Sequence, residues 1–206
     1  MKRIRSIVYI MAVTIGMVSQ KGGVGKSTLS RLVAREYALA GWNVKIADLD
    51  VSQGTSFNWQ SRRLQAGIEP IVPVERFGTV EQALKIGSHY DLLILDGPPH
   101  STAGTLKIAA ASLLTVLPTG LSLDDLEPSV LLAHELRKRG VTPGNIAFAL
   151  SRVGDSETEI EEARQLRYPS WLPCPRRQLA GKDCLPSCLR RRPLTYGNPL
   201  SLFEPS

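Results

Sequence analysis

Short runs of apolar residues alternate along this chain with longer segments in which apolar residues recur at helical spacing. Each short run is rich in Val, Ile or Leu and nearly continuous, as expected for strands of a parallel sheet that is covered on both faces. The predicted strands are Val13–Val18, Asn43–Ala47, Pro70–Pro73, Leu92–Leu95, Leu113–Leu117 and Ile146–Leu150. The predicted helices are Lys26–Ala40, Ser56–Ala66, Val80–Ile86, Ala103–Ala111 and Leu123–Arg139.

The regular alternation of strand and helix predicts the fold class. It indicates an α/β protein with a doubly wound, mostly parallel sheet flanked by helices. No internal repeat interrupts the pattern, and no apolar run reaches the roughly 18 to 20 residues that a membrane-spanning helix needs.

The composition changes near residue 165. Of the 206 residues, those from 166 to 206 carry seven Lys or Arg against two Asp or Glu, so they hold most of the net charge of +6. The same segment contains seven of the fourteen prolines and all three cysteines. We therefore predict an N-terminal extension at 1–11, a folded domain at 12–165 and an irregular tail at 166–206.

The first residues resemble a signal peptide only superficially. Basic residues at 2–5 precede an apolar run, but no small-residue cleavage site follows, and the run leads directly into a glycine-rich loop. A buried first strand explains the pattern better, and Met11 is a plausible translation start. The odd number of cysteines, at spacings that match no zinc pattern, favours a reduced cytoplasmic protein without a zinc site.

The segment from Lys21 to Thr28 reads K-G-G-V-G-K-S-T and follows the first predicted strand. Its glycines allow successive backbone N–H groups to turn inward around phosphates, Lys26 can reach the β- and γ-phosphate oxygens, and the Ser27 hydroxyl can bind Mg²⁺. The helix that begins near Lys26 directs its positive end at the same anion. The predicted phosphate-binding residues are Gly22, Gly23, Val24, Gly25, Lys26, Ser27 and Thr28.

This loop resembles the deviant Walker A motif of the ParA/MinD family of P-loop ATPases, and its surroundings are most similar to those of ParA-type partition proteins. The resemblance covers roughly residues 12–165. It implies ATP and Mg²⁺ as cofactors and an ATP-bound homodimer in which Lys21 contacts the nucleotide of the partner subunit. Lys21 and Lys26 are therefore expected to be catalytic. Ser151-Arg152-Val153 stands where relatives often have Asn-Arg-Val, so the preference for ATP over GTP rests on the resemblance alone.

Two carboxylates follow the second predicted strand, in the segment from Asp48 to Thr55. This segment resembles the D-x-D-P-Q-G switch of the family, but it is one residue longer and lacks the proline. We assign Asp50 to positioning of the attacking water and Asp48 to the surroundings of the metal. The alternative is that the two acids only cap a turn.

Asp96 ends the apolar run at 92–95 and is followed by Gly97-Pro98-Pro99. A rigid strand that ends in an acid is what a Walker B aspartate requires, because it holds one carboxylate close to Mg²⁺. The residues of the metal site are thus predicted to be Ser27, Asp48 and Asp96. The Gly-Pro-Pro segment resembles the second switch of the family.

The tail departs from the family pattern. Where relatives continue with a strand and helices that help to bind DNA, this chain has a proline about every six residues, which excludes a long helix. Residues 197–204 can be encoded so that a neighbouring reading frame gives E-T-P-F-P-S-L-N, which resembles the ending of plasmid partition proteins. A frameshifted C-terminus explains both observations, and the basic clusters at 176–177 and 190–192 are then solvated residues rather than evolved DNA contacts.

The resemblance implies an ATPase that segregates plasmid or chromosomal DNA through ATP-dependent dimerisation and non-specific DNA binding. It also implies a centromere-binding partner protein that stimulates slow hydrolysis, and a cytoplasmic, nucleoid-associated location without membrane contact. Two alternatives stay open. One is a MinD-like positioning ATPase, which would need an amphipathic C-terminal helix to bind membranes. The other is a truncated or frameshifted partition protein that retains only nucleotide binding.

Overall fold

The computed structural model describes residues 12–100 and 102–154 with Thr158 and Ile160, and this part contains six strands, five α-helices and a short 3-10 helix at Pro143–Asn145. The strands are β1 (Val13–Met17), β2 (Val44–Asp48), β3 (Val74–Arg76), β4 (Leu92–Asp96), β5 (Leu114–Thr119) and β6 (Ile146–Leu150). The helices are α1 (Lys26–Leu39), α2 (Thr55–Gln65), α3 (Val80–Gly87), α4 (Thr102–Ala111) and α5 (Leu123–Lys138). The extension predicted at 1–11 and the tail predicted at 166–206 lie outside the described residues.

The strands form one sheet in the order β3-β2-β4-β1-β5-β6, and all five neighbouring pairs are parallel. The predicted α/β fold with a doubly wound parallel sheet is therefore confirmed. β2 and β4 are buried along their whole length, which explains why their sequences are almost uninterrupted runs of apolar residues.

Two apolar layers cover the two faces of the sheet. One layer packs α1 against the sheet through Leu29 and Ala34, with Trp59 of α2 at its margin. The opposite layer contains the buried faces of α3, α4 and α5, such as Ala83, Ile108 and Leu132. Because helices lie on both sides, the sheet is held rigid, and the strand ends keep a fixed relation to one another.

One strand prediction was wrong. The apolar segment at 70–73 was expected to be a strand, but the structure places β3 at Val74–Arg76, paired with β2. Pro70 and Pro73 carry no backbone N–H and cannot donate to a ladder. The carbonyl of Pro73 accepts a hydrogen bond from the Ile46 N–H, so the prolines lead into the strand without forming its body.

The carboxyl ends of β1, β2 and β4 meet at one edge of the sheet. In the strand register Asp48 of β2 lies opposite Asp96 of β4, and Asp96 lies opposite Met17 of β1. The glycine-rich loop leaves β1 at this edge, next to both carboxylates. In open parallel sheets ligands bind at such an edge, where the chain connections diverge to the two faces.

None of the helices in the described ranges is both long enough and apolar enough to cross a membrane.

Candidate functional site

The loop between β1 and α1 has the backbone geometry of an anion cradle. Gly23 and Gly25 adopt left-handed conformations, with φ of 74° and 101°, which L-residues with side chains rarely tolerate. Gly25 is the N-cap of α1, so the unpaired N–H groups of the first helical turn face the loop. The predicted residues Gly22 to Thr28 thus form one continuous turn into a helix N-terminus, which favours negatively charged groups.

A serine from the end of β6 supports this loop. The Ser151 hydroxyl donates to the Val24 carbonyl at 2.5 Å, and a Cβ placed on Gly25 would lie 3.2 Å from the Ser151 oxygen. In the sequence, Ser151 is notable only because it replaces a base-contacting Asn of the family. In the structure its hydroxyl faces the glycine-rich loop between β1 and α1, called the phosphate loop below, because β6 lies beside β5 at the same sheet edge.

Lys26, the first residue of α1, is buried with 7% of its surface exposed. Its ammonium donates to the Lys21 carbonyl at 3.4 Å, so the side chain curls back over the loop. Burial lowers the pKa of Lys26, while the nearby carboxylates of Asp96 and Asp50 oppose that shift. A desolvated cation held over backbone N–H groups is suited to bind phosphate oxygens strongly, since few water molecules must be displaced.

Lys21 is held by the start of α5. Its ammonium forms an ion pair with the Asp125 carboxylate and donates to the Asp124 carbonyl at 3.4 Å. That carbonyl is available because Pro128, four residues further along α5, has no N–H with which to close the helical hydrogen bond. Lys21 is therefore docked on its own subunit and only half-buried, rather than sharing the buried position of Lys26.

Asp96 ends β4 and is almost completely buried, with 1% of its surface exposed. Its Oδ2 accepts a hydrogen bond from the Ser56 hydroxyl at 2.7 Å, whereas Oδ1 has no hydrogen-bond partner in the described chain. Burial raises the pKa of Asp96, and hydrogen bonding from Ser56 opposes this effect. The next residue, Gly97, fixes the strand end, because its N–H donates to the Met17 carbonyl at 3.0 Å.

Asp48 holds the start of α2. Its Oδ2 accepts from the backbone N–H groups of Ser56 and Phe57, at 3.1 and 3.2 Å, and its Oδ1 accepts from the N–H of Asp50 at 3.1 Å. Gly54, the N-cap residue of α2, has no side chain, so Asp48 takes over the capping from a neighbouring strand. Burial raises the pKa of Asp48, and these three N–H groups oppose the shift.

Asp50 organises the loop between β2 and α2. Its Oδ1 accepts from the Ser52 hydroxyl at 2.6 Å and from the Gln53 N–H at 3.1 Å, and its carbonyl accepts from the Gly54 N–H. The carboxylate is also close enough to Lys26 to favour the charged ammonium. The extra residue in this loop is thus accommodated in a compact turn that keeps Asp50 near the phosphate loop.

The oxygen donors at this site fit a hard divalent cation whose remaining coordination positions are filled by a bound ligand and water. The Ser27 hydroxyl lies beside Asp96, where it favours the ionised carboxylate, and the Asp96 Oδ1 is a buried oxygen without a partner. Among the described residues, no group of three or more His, Cys, Asp or Glu side chains could hold a metal ion unaided. Mg²⁺ keeps water and phosphate oxygens as ligands, so one carboxylate and one hydroxyl suffice in such a site.

Two residues that the sequence analysis did not assign flank the phosphate loop. His100 and Arg152, with φ of 59° and 57°, are the residues other than glycine with a positive φ in the described chain. Atoms placed as a Cβ on Gly22 and Gly23 would lie 3.7 Å from the His100 Nε2 and 3.3 Å from an Arg152 Nη, respectively. Strained backbone of this kind concentrates at functional sites, but no sequence pattern marks a positive φ at His or Arg.

The parallel sheet, the glycine-rich turn into α1 and the buried lysine next to a strand-end carboxylate define a P-loop nucleotide-binding domain. A family model described as the CobQ/CobB/MinD/ParA nucleotide binding domain matches residues 15–171. The chain belongs to this family, as its resemblance to ParA/MinD ATPases predicted.

Three known proteins illustrate the relationship. The chromosome-partitioning ATPase Soj of Thermus thermophilus is 30% identical over 161 residues, covering 63% of this chain and 64% of Soj, so the chain spans slightly less than two thirds of that relative. The MinD septum site-determining protein of Pyrococcus horikoshii, solved with Mg-ADP, has a TM-score of 0.61 at 19% identity over 79% of each chain. A plasmid partition protein of Borrelia burgdorferi has a TM-score of 0.56 at 16% identity, covering 79% of this chain and 88% of that one. The two solved structures share the fold.

Proposed function

We propose that this chain is an ATP-hydrolysing switch of the ParA type. Residues 12–165 would form its ATPase domain, which dimerises with ATP and Mg²⁺, binds DNA without sequence preference and is released after hydrolysis stimulated by a centromere-binding partner. The observation that carries the proposal is the pair of lysines on one loop. Lys26 is buried at the glycine-rich loop, and Lys21, five residues earlier, is half-exposed and paired with Asp125.

The chemistry would depend on positioning and neutralisation of charge. Lys26 and the backbone N–H groups from Gly22 to Thr28 would bind the β- and γ-phosphates. Ser27 and the Asp96 Oδ1 would hold Mg²⁺, which spreads the negative charge of the transferred phosphoryl group. Asp48 already uses Oδ2 to hold α2 and Oδ1 to hold the Asp50 N–H, so it would support the metal site through that helix and through water.

Asp50 is the group best placed to orient the attacking water. It lies in the loop next to Lys26, and its carboxylate is held by two donors from its own turn. Lys21 would leave Asp125 and contact the phosphates of the partner subunit's nucleotide. This transfer makes dimerisation and the completed site interdependent, as expected for a slow, partner-stimulated enzyme.

DNA as a ligand and a cytoplasmic, nucleoid-associated location are supported by the roles of the relatives in chromosome and plasmid partition. We expect the wild-type chain to bind a random-sequence duplex at least about tenfold more tightly with ATP and Mg²⁺ than with ADP and Mg²⁺, since a dimer engages the duplex with two subunits. Lys21→Ala should bind nucleotide but lose this difference. Fluorescence anisotropy of labelled DNA, repeated over a salt series, measures both.

Lys85→Ala, which removes an exposed lysine of α3, is the matched control and should keep the ATP response. DNA binding that ignores the nucleotide would contradict the switch and point to simple attraction between basic residues and phosphates. Equal ATP responses in Lys21→Ala and wild type would contradict the role assigned to Lys21.

The ion pair between Lys21 and Asp125 of α5 leads to a separate prediction. Asp125→Asn removes the ion pair, so Lys21 is more often available to a partner subunit. Because partly exposed ion pairs contribute about 0.2 to 1 kcal/mol and each dimer breaks two of them, we expect the protein concentration for half-maximal ATP-dependent dimerisation to fall by at most about thirtyfold. Analytical ultracentrifugation measures this concentration.

Glu127→Gln removes the same charge two residues further along α5 and is the control. If Asp125→Asn dimerises no more readily than Glu127→Gln, then the ion pair does not compete with dimerisation.

A further inference from the structure

A buried serine at the start of α2 joins the two carboxylates of the site. Ser56 has no exposed surface. Its hydroxyl donates to the Asp96 Oδ2 at 2.7 Å, and its backbone N–H donates to the Asp48 Oδ2 at 3.1 Å. One residue of α2 is therefore bonded to the ends of both β2 and β4, which are neighbouring strands of the sheet.

Arg31 of α1 determines how this serine is oriented. The Arg31 Nε donates to the Ser56 oxygen at 3.3 Å, and its guanidinium stacks over Trp59 of α2, 5.8 Å from the ring centre. A guanidinium can only donate, so the Ser56 hydroxyl must act as acceptor toward Arg31 and can give its own proton only to a further acceptor. That acceptor is Asp96. The chain of hydrogen bonds thus has a fixed direction, from Arg31 through Ser56 to Asp96.

The consequence concerns the other oxygen of Asp96. With Oδ2 engaged by Ser56, the carboxylate cannot rotate freely, and Oδ1 stays buried without a hydrogen-bond partner among the described residues. Groups that orient a ligand in this way typically account for 10- to 100-fold in metal affinity.

We propose that Ser56, oriented by Arg31, is a positioning residue for the Mg²⁺ site and couples that site to α2. The inference rests on the proposed role of Asp96 in holding Mg²⁺. With Mg²⁺ held at this site, the Asp96 carboxylate would be fixed more firmly, and its hydrogen bond with Ser56 would, together with Asp48, fix the first turn of α2. The exposed Phe57 follows directly in that turn, and the Arg76 guanidinium stacks on its ring at 4.9 Å. Metal binding is thereby transmitted to the surface of α2.

The alternative is that Ser56 only stabilises the helix start. In that case its loss would weaken the fold and nucleotide binding equally with and without Mg²⁺. The two roles are therefore separated by a measurement of the metal dependence itself.

The experiment titrates Mg²⁺ into the full chain with a fluorescent ATP analogue and records the Mg²⁺ concentration for half-maximal response. For Ser56→Ala we expect this concentration to rise about tenfold, with the nucleotide affinity in EDTA unchanged within twofold. Ser61→Ala is the matched control, because the Ser61 hydroxyl lies on the same helix but donates only to the Phe57 carbonyl. It should behave as wild type.

A second variant and a second readout guard against loss of folding. Arg31→Met keeps the Ser56 hydroxyl but removes the group that orients it, and should raise the Mg²⁺ requirement about threefold. In hydrogen exchange, Mg²⁺ should slow the amide of Phe57 in the nucleotide-bound wild type and not in Ser56→Ala.

The outcomes distinguish the inference from the proposed function. A wild-type chain that binds nucleotide with no response to Mg²⁺ would overturn the metal site itself. A wild-type response with Ser56→Ala and Arg31→Met indistinguishable from Ser61→Ala would overturn the role of Ser56 alone.

Discussion

Lys26→Ala is expected to weaken ATP binding by at least about 100-fold. The ammonium is buried over the phosphate loop, where its interaction with phosphate oxygens is weakly screened, and removal of one partner of a buried charge pair costs about 2 to 5 kcal/mol. A loss of about 2.7 kcal/mol corresponds to the 100-fold change. Isothermal titration calorimetry with ATP and Mg²⁺ measures the effect directly.

The fold should tolerate this substitution. Burial lowers the pKa of Lys26, which means that the site disfavours the charged ammonium before phosphate binds. Removal of the desolvated ammonium opposes the loss of packing by the aliphatic stem, and we expect the free energy of unfolding without nucleotide to change by less than about 1 kcal/mol. Lys85→Ala serves as the control in both measurements. An affinity within fivefold of wild type in a folded Lys26→Ala chain would contradict the assignment of the loop.

Asp96→Asn is expected to weaken metal binding while it stabilises the metal-free fold. The variant should need at least about 100-fold more Mg²⁺ for nucleotide binding, because the neutral amide removes the charge that the cation requires. At the same time, the metal-free chain should become more stable at pH 8, by about 1 kcal/mol, since burial disfavours the ionised carboxylate. Urea unfolding in EDTA and Mg²⁺ titration measure the two effects.

The pH dependence follows from the sign of the shift. The pKa of Asp96 is raised above its ordinary value of 3.8, so the folded state binds more protons than the unfolded state at pH values between about 4 and the raised pKa. The wild-type free energy of unfolding therefore falls as the pH rises through the raised pKa, and Asp96→Asn lacks this contribution. The stability advantage of the variant should shrink toward pH 4. An Asp96→Asn chain that is less stable than wild type at pH 8, with Glu127→Gln unchanged, would show that the carboxylate stabilises the fold instead.

The sequence predicted those parts of the molecule that depend on local pattern. Strands such as β4 are continuous apolar runs. The glycines at 22, 23 and 25 indicate a turn that side chains would obstruct. The ends of adjacent strands must meet in a parallel sheet, so Asp48 and Asp96 could be expected near the loop. β3 was misplaced because the apolar run at 70–73 is typical of a buried strand. Val72 is indeed buried, but the flanking prolines have no N–H groups to donate to a strand ladder.

The remaining features depend on contacts between residues far apart in the chain. Ser56 and Asp96 are 40 residues apart, and Ser151 and Val24 are 127 residues apart. The helical sequence around Ser56 does not indicate that its hydroxyl forms a buried hydrogen bond with the end of a strand. The contacts of Lys21 with α5 depend on a lysine, an aspartate and a proline that come together only in the folded chain. Asp48 resembled a metal ligand in sequence, and only the fold shows that its oxygens accept backbone N–H groups, from the start of α2 and from Asp50.

The central claim is that nucleotide at this site controls association of the chain. Sedimentation velocity of the full chain with Mg²⁺ and either ADP or a slowly hydrolysed ATP analogue tests it most directly. We predict a monomer with ADP, a dimer with the ATP analogue, and a monomer with the analogue when Lys21 is replaced by Ala. A monomer at saturating ATP analogue, or a dimer that forms equally with ADP, would contradict the account.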